Sequence, residues 1–333
     1  MAKFLITGGA GFIPSSMADK LLLDDKNEVV LVDNMLTGRK ENIPTSPAAK
    51  FIKCDVNNYN DIAPIMTSYQ FDYVFHYAAV VGVQRTLDNP VMVLKDIDGI
   101  ENILDLCKNT GVKRVFYSSS SEVYGEPVVL PQNEHTTPLN SRLPYAIVKN
   151  VGEAYCKSYY QEYGLEYTVF RFFNTYGPKQ SPDFVMSKFL QAALDNRDIT
   201  LYGDGLQSRT FCYIEDNLDA CLTTLYNEDY KNDVYNIGND VVITIKELAE
   251  TIIELTGSSS KIVHLPPLKD GDMTKRQPDI SRMRELLKRD LLPYREGIKK
   301  VLQSWKERQT PRSSNSRPEK YVPASLEPSG GRL

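Results

Sequence analysis

The chain has 333 residues and 41% hydrophobic residues, enough for one large domain or two interlocked ones. Its net charge of -4 argues against nucleic acid or an anionic membrane surface as a partner, and no apolar run approaches the roughly 20 residues of a membrane helix. Five scattered cysteines without a CxxC pair indicate a reduced, cytoplasmic protein, and three widely spaced histidines predict no metal site.

Short apolar runs alternate with helix-like segments along the first half of the chain. The runs are KFLIT (3–7), EVVLVD (28–33), DYVFHYAA (72–79), RVFYSSS (114–120) and YTVFRF (167–172). The first begins almost at residue 1, so we expect no signal peptide. Continuous β-rich runs between helices are typical of a parallel sheet that is covered on both faces, which predicts an α/β, doubly wound domain over residues 1–175.

The glycine-rich segment GGAGFIP (8–14) follows the first strand and opens a helix. In this context Gly8 allows a tight turn, and Gly11 lets the backbone approach a pyrophosphate at the helix N-terminus. Pro14 stands where a third small residue is usual, but in the first helical turn its missing N–H loses no hydrogen bond. We therefore predict a dinucleotide site to which Phe12 and Ile13 also contribute; the alternative is a purely structural glycine turn.

An aspartate ends the second strand. Asp33 lies about 20 residues beyond the glycines, where a carboxylate binds the ribose hydroxyls of NAD and repels the 2′-phosphate of NADP. This predicts NAD as the cofactor, although Arg39 and Lys40 are near enough to bind such a phosphate. The remaining cofactor contacts that we predict are Asn34, Asp55, Val56 and Ala78, of which Asp55 is equally well explained as a turn residue.

A second constellation lies in SSSSEVYG (118–125) and PYAIVK (144–149). Tyr145 and Lys149 share one helix face, and a nearby ammonium lowers the pKa of a phenol. Such a tyrosine removes a hydroxyl proton while hydride leaves the same carbon for nicotinamide. Tyr and Lys at this spacing are usually only a solvated helix face, but after a glycine turn, an acidic strand end and a serine-rich strand end they predict a catalytic group of Tyr145, Lys149 and a strand-end serine, which the family resemblance given below implies to be Ser120.

The regular pattern loosens after residue 175. PKQSPDF (178–184) is predicted as a loop, MSKFLQAALDN (186–196) as a helix, VYNIGN (234–239) as a buried strand, and ITIKELAETIIELTG (243–257) as an amphipathic helix that ends at Gly257. We expect residues 176–309 to form a smaller, mainly substrate-binding region, with part of 210–242 returning to the first domain. Residues 310–333 are rich in Pro, Ser and Gly and are predicted to be a disordered tail.

Over residues 3–308 the sequence resembles the extended short-chain dehydrogenase/reductases, in the group of NAD-dependent nucleotide-sugar epimerases, dehydratases and decarboxylases. The segments that carry this resemblance include GGAGFI, HYAAVVGV, SSSEVYGEP, PYAIVK, RFFNTYGP, YGDGLQSRTFCYIED and KRQPDI. The resemblance implies a Rossmann domain with a smaller, interleaved C-terminal substrate domain. It also implies a nucleoside-diphosphate sugar as substrate, and a homodimer formed by a bundle of two helices from each subunit, of which the Tyr145 helix is one.

The resemblance further implies roles for single residues. Tyr145 would be the base for the C4 hydroxyl of the sugar, and Lys149 its electrostatic partner. Asn174 would contact the sugar or its diphosphate, and Arg209 and Arg276 would bind the diphosphate, a task that suits the guanidinium fork. The chain departs from the family at Pro14 and at Asp96, where an Asn usually ties the helix and the relay to the sheet. An Asp there either does the same or perturbs the charge of the site.

The step that follows C4 oxidation depends on Glu122, the fourth residue that we predict to be catalytic. A 4-epimerase returns hydride to the other face of C4, a 4,6-dehydratase removes water across C5–C6, and a decarboxylase releases CO2 from a 4-keto uronic acid. The Ser-Glu pair resembles GDP-mannose-type dehydratases and also decarboxylases, which however have a longer segment before the tyrosine. The less favoured alternative is that Glu122 is a strand-end carboxylate that only holds a loop.

We expect an NAD-dependent nucleotide-sugar 4-epimerase. The alternatives are a GDP-mannose-type 4,6-dehydratase, a C4 dehydrogenase that releases the 4-keto sugar, and a UDP-glucuronate decarboxylase. A different class, a non-catalytic NAD(H)-binding protein of the same fold, is disfavoured by the intact Ser120, Tyr145 and Lys149, because a sensor needs no proton relay.

Overall fold

The computed structural model describes residues 1–267 and 275–309, without the side chains of residues 83 and 84. The predicted tail at 310–333 lies outside the described residues. The strands are β1 (Lys3–Thr7), β2 (Glu28–Asp33), β3 (Ala49–Lys53), β4 (Tyr73–His76), β5 (Arg114–Ser120), β6 (Glu166–Phe172), β7 (Thr175–Tyr176), β8 (Ile199–Tyr202), β9 (Ser208–Thr210), β10 (Cys212–Tyr213), β11 (Asp233–Ile237), β12 (Val242–Thr244) and β13 (Ile262–Leu265).

The helices alternate with these strands along the chain. They are α1 (Phe12–Leu21), α2 (Tyr59–Tyr69), α3 (Val83–Asp88), α4 (Pro90–Leu94), α5 (Asp96–Thr110), α6 (Pro144–Tyr163), α7 (Val185–Leu194), α8 (Ile214–Tyr226), α9 (Ile245–Thr256), α10 (Ser281–Leu287) and α11 (Tyr294–Gln309). Short 3-10 helices lie at Lys40–Asn42, Ser121–Tyr124 and Glu228–Tyr230.

A seven-stranded sheet of order β11-β6-β5-β4-β1-β2-β3 forms the centre of the molecule, and all its neighbouring strands are parallel. Successive side chains of a strand point to opposite faces. In β1, Phe4 and Ile6 belong to one buried hydrophobic cluster and Leu5 to another. Both faces are therefore covered, and the prediction of an α/β, doubly wound, Rossmann-type sheet is confirmed.

The predicted elements differ from the observed ones where the apolar pattern is interrupted. β3 was not predicted, because Lys50 and Lys53 are exposed at this sheet edge and break the apolar run. The strand predicted at 72–79 ends at His76, since the backbone N–H groups of Tyr77 and Ala78 donate to the Thr7 hydroxyl, each at 3.0 Å.

The region after residue 175 adds three two-stranded sheets, which pair β10 with β7, β12 with β9 and β13 with β8. The predicted amphipathic helix is α9, which begins with a capping box between Thr244 and Glu247 and ends at Gly257 in the left-handed conformation, with φ 64°. β11 of the same region lies at the edge of the central sheet beside β6. The division into residues 1–175 and 176–309 stays a prediction.

The sequence predicts neither a membrane helix nor a metal site. No helix among the described residues combines the length and the apolar character that crossing a membrane requires. These residues also contain no group of His, Cys, Asp or Glu side chains arranged to hold a metal ion.

Candidate active site

A cleft of about 450 Å³ opens at the carboxyl ends of the central strands. Open parallel sheets bind their ligands at this edge, because the loops that leave neighbouring strands diverge there. Its lining includes the glycine turn and the end of β2, the residues that follow β6, and residues 179–181 and 183–186 of the second region. The predicted residues Asn34, Asp55, Val56 and Ala78 all line this cleft.

The glycine turn has the shape that a pyrophosphate requires. Gly8 has φ +68°, and a Cβ there would lie 3.0 Å from the backbone of Ala78. Gly11 is the N-cap of α1, and no side chain satisfies the first N–H groups of this helix. Free N–H groups at a helix N-terminus attract anions. The turn therefore fits the pyrophosphate of NAD, with Phe12 and Ile13 beside it in the cleft wall.

Asp33 is buried at the end of β2 and is fixed by two backbone groups. Its carboxylate accepts hydrogen bonds from the N–H of Ala10 at 3.0 Å and of Met35 at 2.7 Å. A Cβ on Gly38 would lie only 2.8 Å from the Asp33 carboxylate, so the backbone closes tightly around it. Arg39 pairs with Glu41 at 2.9 Å. A fixed carboxylate at this position suits the ribose hydroxyls of NAD better than a 2′-phosphate.

Pro14 is compatible with this turn. It is buried inside the first turn of α1, where the intrahelical hydrogen bonds begin with Ser15 N–H to the Gly11 carbonyl at 3.2 Å. A Cβ on Gly11 would lie 3.3 Å from the Pro14 ring. The proline thus packs against Gly11 instead of leaving space beside it.

Ser120, Tyr145 and Lys149 meet at the opposite end of the cleft. The Ser120 hydroxyl reaches the Tyr145 hydroxyl as a hydrogen-bond partner, and the Lys149 ammonium lies 5.8 Å from the centre of the Tyr145 ring. The ammonium donates to the Ser118 carbonyl at 2.7 Å and to the Ser118 hydroxyl at 3.2 Å. β5 and α6 position all of these groups, because Ser118 and Ser120 end the strand and Tyr145 begins the helix.

Burial dominates the protonation of this group. It lowers the pKa of Lys149 to about 8, against the opposing charge of Asp96. Burial and the Glu122 carboxylate raise the pKa of Tyr145, against its hydrogen bond to Ser120. The expectation that Lys149 would lower the pKa of Tyr145 below its ordinary value is therefore wrong for the protein alone, because loss of water outweighs the neighbouring charges.

Asp96 joins α5 to the strand ends. Its carboxylate accepts from the Val80 N–H at 2.7 Å and from the Asn57 amide at 3.2 Å. Burial raises its pKa, and Lys149 opposes this increase. The Asp thus fastens the helix to the loop after β4, and it adds a negative charge that an Asn would not bring.

Glu122 and Arg276 form an ion pair of 3.0 Å in the cleft, with 20% and 11% of their side chains exposed. The charges of both act on Tyr145. Arg276 therefore lies near Tyr145, and its contact with the diphosphate stays a prediction. The backbone of its segment is held by residue 132, whose N–H donates to the Gln277 carbonyl at 2.8 Å and whose carbonyl accepts from Asp279 N–H at 2.8 Å.

The two remaining residues that we predicted to bind the substrate lie in different places. Asn174 lines the cleft and donates to the Thr210 carbonyl at 3.2 Å. Arg209, on β9, donates to the Ser208 carbonyl at 2.7 Å and is not among the described residues that line the cleft.

Two further features were missed in the sequence. Lys179 lines the cleft from a loop in which a lysine would ordinarily be solvated, so no sequence signal pointed to it. Glu153 is buried behind the catalytic group and pairs with Arg171 at 2.6 Å. Its spacing, one helical turn after Lys149 and two turns after Tyr145, was the available signal.

Comparisons with known proteins identify the family of this chain. The family described as the NAD dependent epimerase/dehydratase family matches residues 4–238. UDP-glucuronic acid decarboxylase 1 of Danio rerio is 37% identical over 90% of this chain and 72% of its own length. A putative UDP-glucose 4-epimerase of Methanocaldococcus jannaschii is 36% identical over 90% of this chain and 96% of its own.

A solved structure of a related enzyme has the same overall fold. The crystal structure of UDP-glucose 4-epimerase from Thermotoga maritima with UDP-glucose superposes with a TM-score of 0.86 and 32% identity, over 92% of this chain and 100% of that chain. The family, the cofactor turn and the Ser-Tyr-Lys group together identify an NAD-dependent enzyme that acts on nucleotide sugars. The chain therefore belongs to the NAD-dependent epimerase/dehydratase family.

Proposed function

We propose that this protein oxidises C4 of a UDP-linked hexuronic acid and that the resulting 4-keto acid loses CO2. The ion pair of Arg276 with Glu122 beside Tyr145 carries this proposal. A guanidinium binds carboxylates through paired N–H groups, so an arginine at the sugar end favours a sugar that bears a carboxylate. The similarity to the zebrafish UDP-glucuronic acid decarboxylase supports the same assignment.

In the first step, Tyr145 removes the proton of the C4 hydroxyl while Ser120 binds the same oxygen. Bound NAD supplies the hydride acceptor for C4 and the hydride source for its later reduction. Lys149 holds a positive charge behind Tyr145, which stabilises the phenolate as the proton moves. The low exposure of these groups excludes water, so each charge acts at greater strength than in solvent.

In the second step, the new ketone lies two carbons from the C6 carboxylate. The electrons of the C5–C6 bond move toward the ketone as CO2 leaves, and the enolate that forms is protonated at C5. Glu122, next to the substrate carboxylate, repels its charge and favours its loss as neutral CO2. Reduction of the C4 ketone then gives a UDP-pentose.

The second candidate is a 4-epimerase, the function that we expected from the sequence. It needs only the first step and the return of hydride to the other face of C4, for which Ser120, Tyr145 and Lys149 suffice. The M. jannaschii and T. maritima proteins, both named 4-epimerases, are covered over nearly their whole lengths. In this candidate Arg276 and Glu122 only position the sugar.

Substitution of Arg276 by Gln distinguishes these functions. We expect kcat/KM for UDP-glucuronic acid to fall about a hundredfold, the scale of a lost hydrogen bond between charged groups, while the affinity for UDP stays unchanged. Glu122→Gln removes the partner charge and serves as the matched variant. If Arg276→Gln instead weakens binding of UDP itself, the arginine binds the diphosphate and the proposal of an acidic sugar loses its support.

We also propose that the enzyme is a cytoplasmic homodimer. All five cysteines are free and buried, as in proteins of reducing compartments. The outer face of α6 carries a shallow depression lined by Val151, Ala154, Tyr155, Ser158, Tyr159, Glu162 and Tyr163. Aromatic side chains on an outward helix face are typical of a protein interface.

A further inference from the structure

A loop of the second region crosses to the nucleotide wall of the cleft. It follows β7, and its Lys179 ammonium donates to the Asp19 carboxylate at 2.6 Å, to the Asn42 carbonyl at 3.0 Å and to the Ser15 hydroxyl at 3.3 Å. Only 12% of the Lys179 side chain is exposed. Ser15 and Asp19 belong to α1, the helix whose N-terminus faces the pyrophosphate position, and Asn42 follows β2.

The same loop is anchored on its own side. The Trp305 indole N–H of α11 donates to the Pro178 carbonyl at 2.9 Å, and the Gln180 amide donates to the Thr175 carbonyl at 2.7 Å. A Cβ on Gly177 would lie 3.0 Å from the Phe12 ring, so the loop backbone also packs on the first residue of α1. The position of the loop therefore depends on contacts with the second region and with α1.

The loop and the nucleotide-binding part both border the cofactor cleft. Lys179, Gln180 and Phe184 of the loop line it, as do Pro14 and Asp33 of the nucleotide-binding part. Moving the loop away from α1 separates the Lys179 ammonium from the Asp19 carboxylate. This separation breaks three hydrogen bonds of the ammonium at once, those to Asp19, Asn42 and Ser15, and hydrogen bonds to charged groups contribute more than neutral ones.

We propose that Lys179 is a cofactor-retaining residue: its contacts with α1 and Asn42 hold the cleft closed over NAD and slow the release of the cofactor. A reaction that removes hydride from C4 and later returns it requires the reduced cofactor to stay bound until the cycle ends. The inference rests on NAD binding and holds for either product of the proposed reaction.

The test compares two lysines that join α1 to the second region. Lys20, also on α1, pairs with Asp219 of α8 at 2.5 Å, but it is not among the described residues that line the cleft. Lys179→Met and Lys20→Met therefore remove similar ion pairs, and only the first borders the cofactor. The measurement is the dissociation rate of bound NADH, followed by stopped-flow fluorescence after mixing with excess NAD.

We expect Lys179→Met to release NADH about ten to a hundred times faster than the wild type, the scale of a lost charged hydrogen bond, and Lys179→Arg to restore slow release. Lys20→Met should release NADH at the wild-type rate, even where both Met variants unfold at a similarly lowered temperature. Wild-type release from Lys179→Met, or equal acceleration in Lys20→Met, overturns the proposal. Should Lys179→Met fail to fold, Asp19→Asn tests the same pair, and unchanged release from that variant overturns it equally.

Discussion

Loss of water sets the acid–base properties of the reacting residues. Burial moves the pKa of Lys149 down to about 8 and that of Tyr145 up, so both groups are pushed toward their neutral forms. Proton removal by Tyr145 then depends on the charges around it. Asp96 acts on Lys149, and Glu122 and Arg276 act on Tyr145 with opposite signs.

Tyr145→Phe tests the proton acceptor directly. The change removes one oxygen and preserves the ring packing, so we expect C4 oxidation to slow by roughly 10²–10⁴, the range for loss of a general base. Substrate affinity should change little. Single-turnover formation of NADH measures the effect, and a variant with near wild-type turnover would show that another group takes the proton.

Asp96→Asn tests the unusual charge behind the relay. Asn keeps an oxygen that accepts from Val80 N–H but removes the negative charge that raises the pKa of Lys149. Lysine is charged below its pKa, and the wild type should lose activity as the pH rises through about 8. In the variant this alkaline limb should move to lower pH. His76 stays neutral in both proteins because burial lowers its pKa to about 3. An alkaline limb that stays in place, or moves to higher pH, contradicts the role of Asp96.

The chemistry-bearing residues could be predicted from the sequence where type and spacing coincide. Gly8, Gly11, Asp33 and the Tyr145–Lys149 pair needed only their positions relative to strands and helices. The Arg276–Glu122 pair could not be predicted, because 154 residues separate its members and the fold alone brings them together. The directions of the pKa shifts could not be predicted either, since burial is a property of the folded chain.

At the scale of elements, a buried polar network joins β5, α6 and β6 behind the catalytic group. Glu153 of α6 accepts from the Ser119 hydroxyl and from Arg171, at 2.9 Å and 2.6 Å for its two nitrogens. Arg171 also donates to the Tyr124 hydroxyl at 2.9 Å, which in turn donates to Asn236 at 2.7 Å. The network fixes the strand end that carries Ser120 against the helix that carries Tyr145.

Glu153→Gln should therefore destabilise the fold. It leaves the Arg171 charge buried without its partner, a change that costs about 3–5 kcal/mol. Glu285→Gln, exposed on α10, is the control and should be neutral within about 0.5 kcal/mol. The free energy of unfolding in urea measures both. Equal stability of the two variants would mean that the buried pair contributes nothing to the α6–β6 contact.

The elements themselves were predicted well where apolar runs are continuous. All seven residues of β5 are buried, and its predicted bounds are the observed ones. β3 and the short strands after residue 175 were missed, because edge strands and two- or three-residue ladders leave no apolar periodicity. Their pairing is imposed by the tertiary structure.

At the scale of the whole molecule, α6 connects catalysis to assembly. Its inner face carries Lys149 and Glu153, and its outer face carries the shallow aromatic depression. If the outer face is the homodimer contact that we propose, the partner helix braces the helix that holds Tyr145.

Ala154→Arg tests this arrangement, because Ala154 is exposed within the depression and an arginine there brings charge and bulk into a helix contact. We expect the variant to sediment as a monomer and the wild type as a dimer in analytical ultracentrifugation. Lys157→Ala, exposed on the same helix but outside the depression, should remain dimeric. A wild-type protein that sediments as a monomer would rule out the proposed dimer.

The most direct test of the central claim is identification of the product formed from UDP-glucuronic acid by the NAD-loaded enzyme in D2O. The proposed reaction predicts a UDP-pentose, released CO2 and one deuterium at C5, because the enolate left by decarboxylation takes its proton from solvent. A product that keeps its carboxylate, carries no deuterium and has an inverted C4 would contradict decarboxylation and establish the 4-epimerase instead.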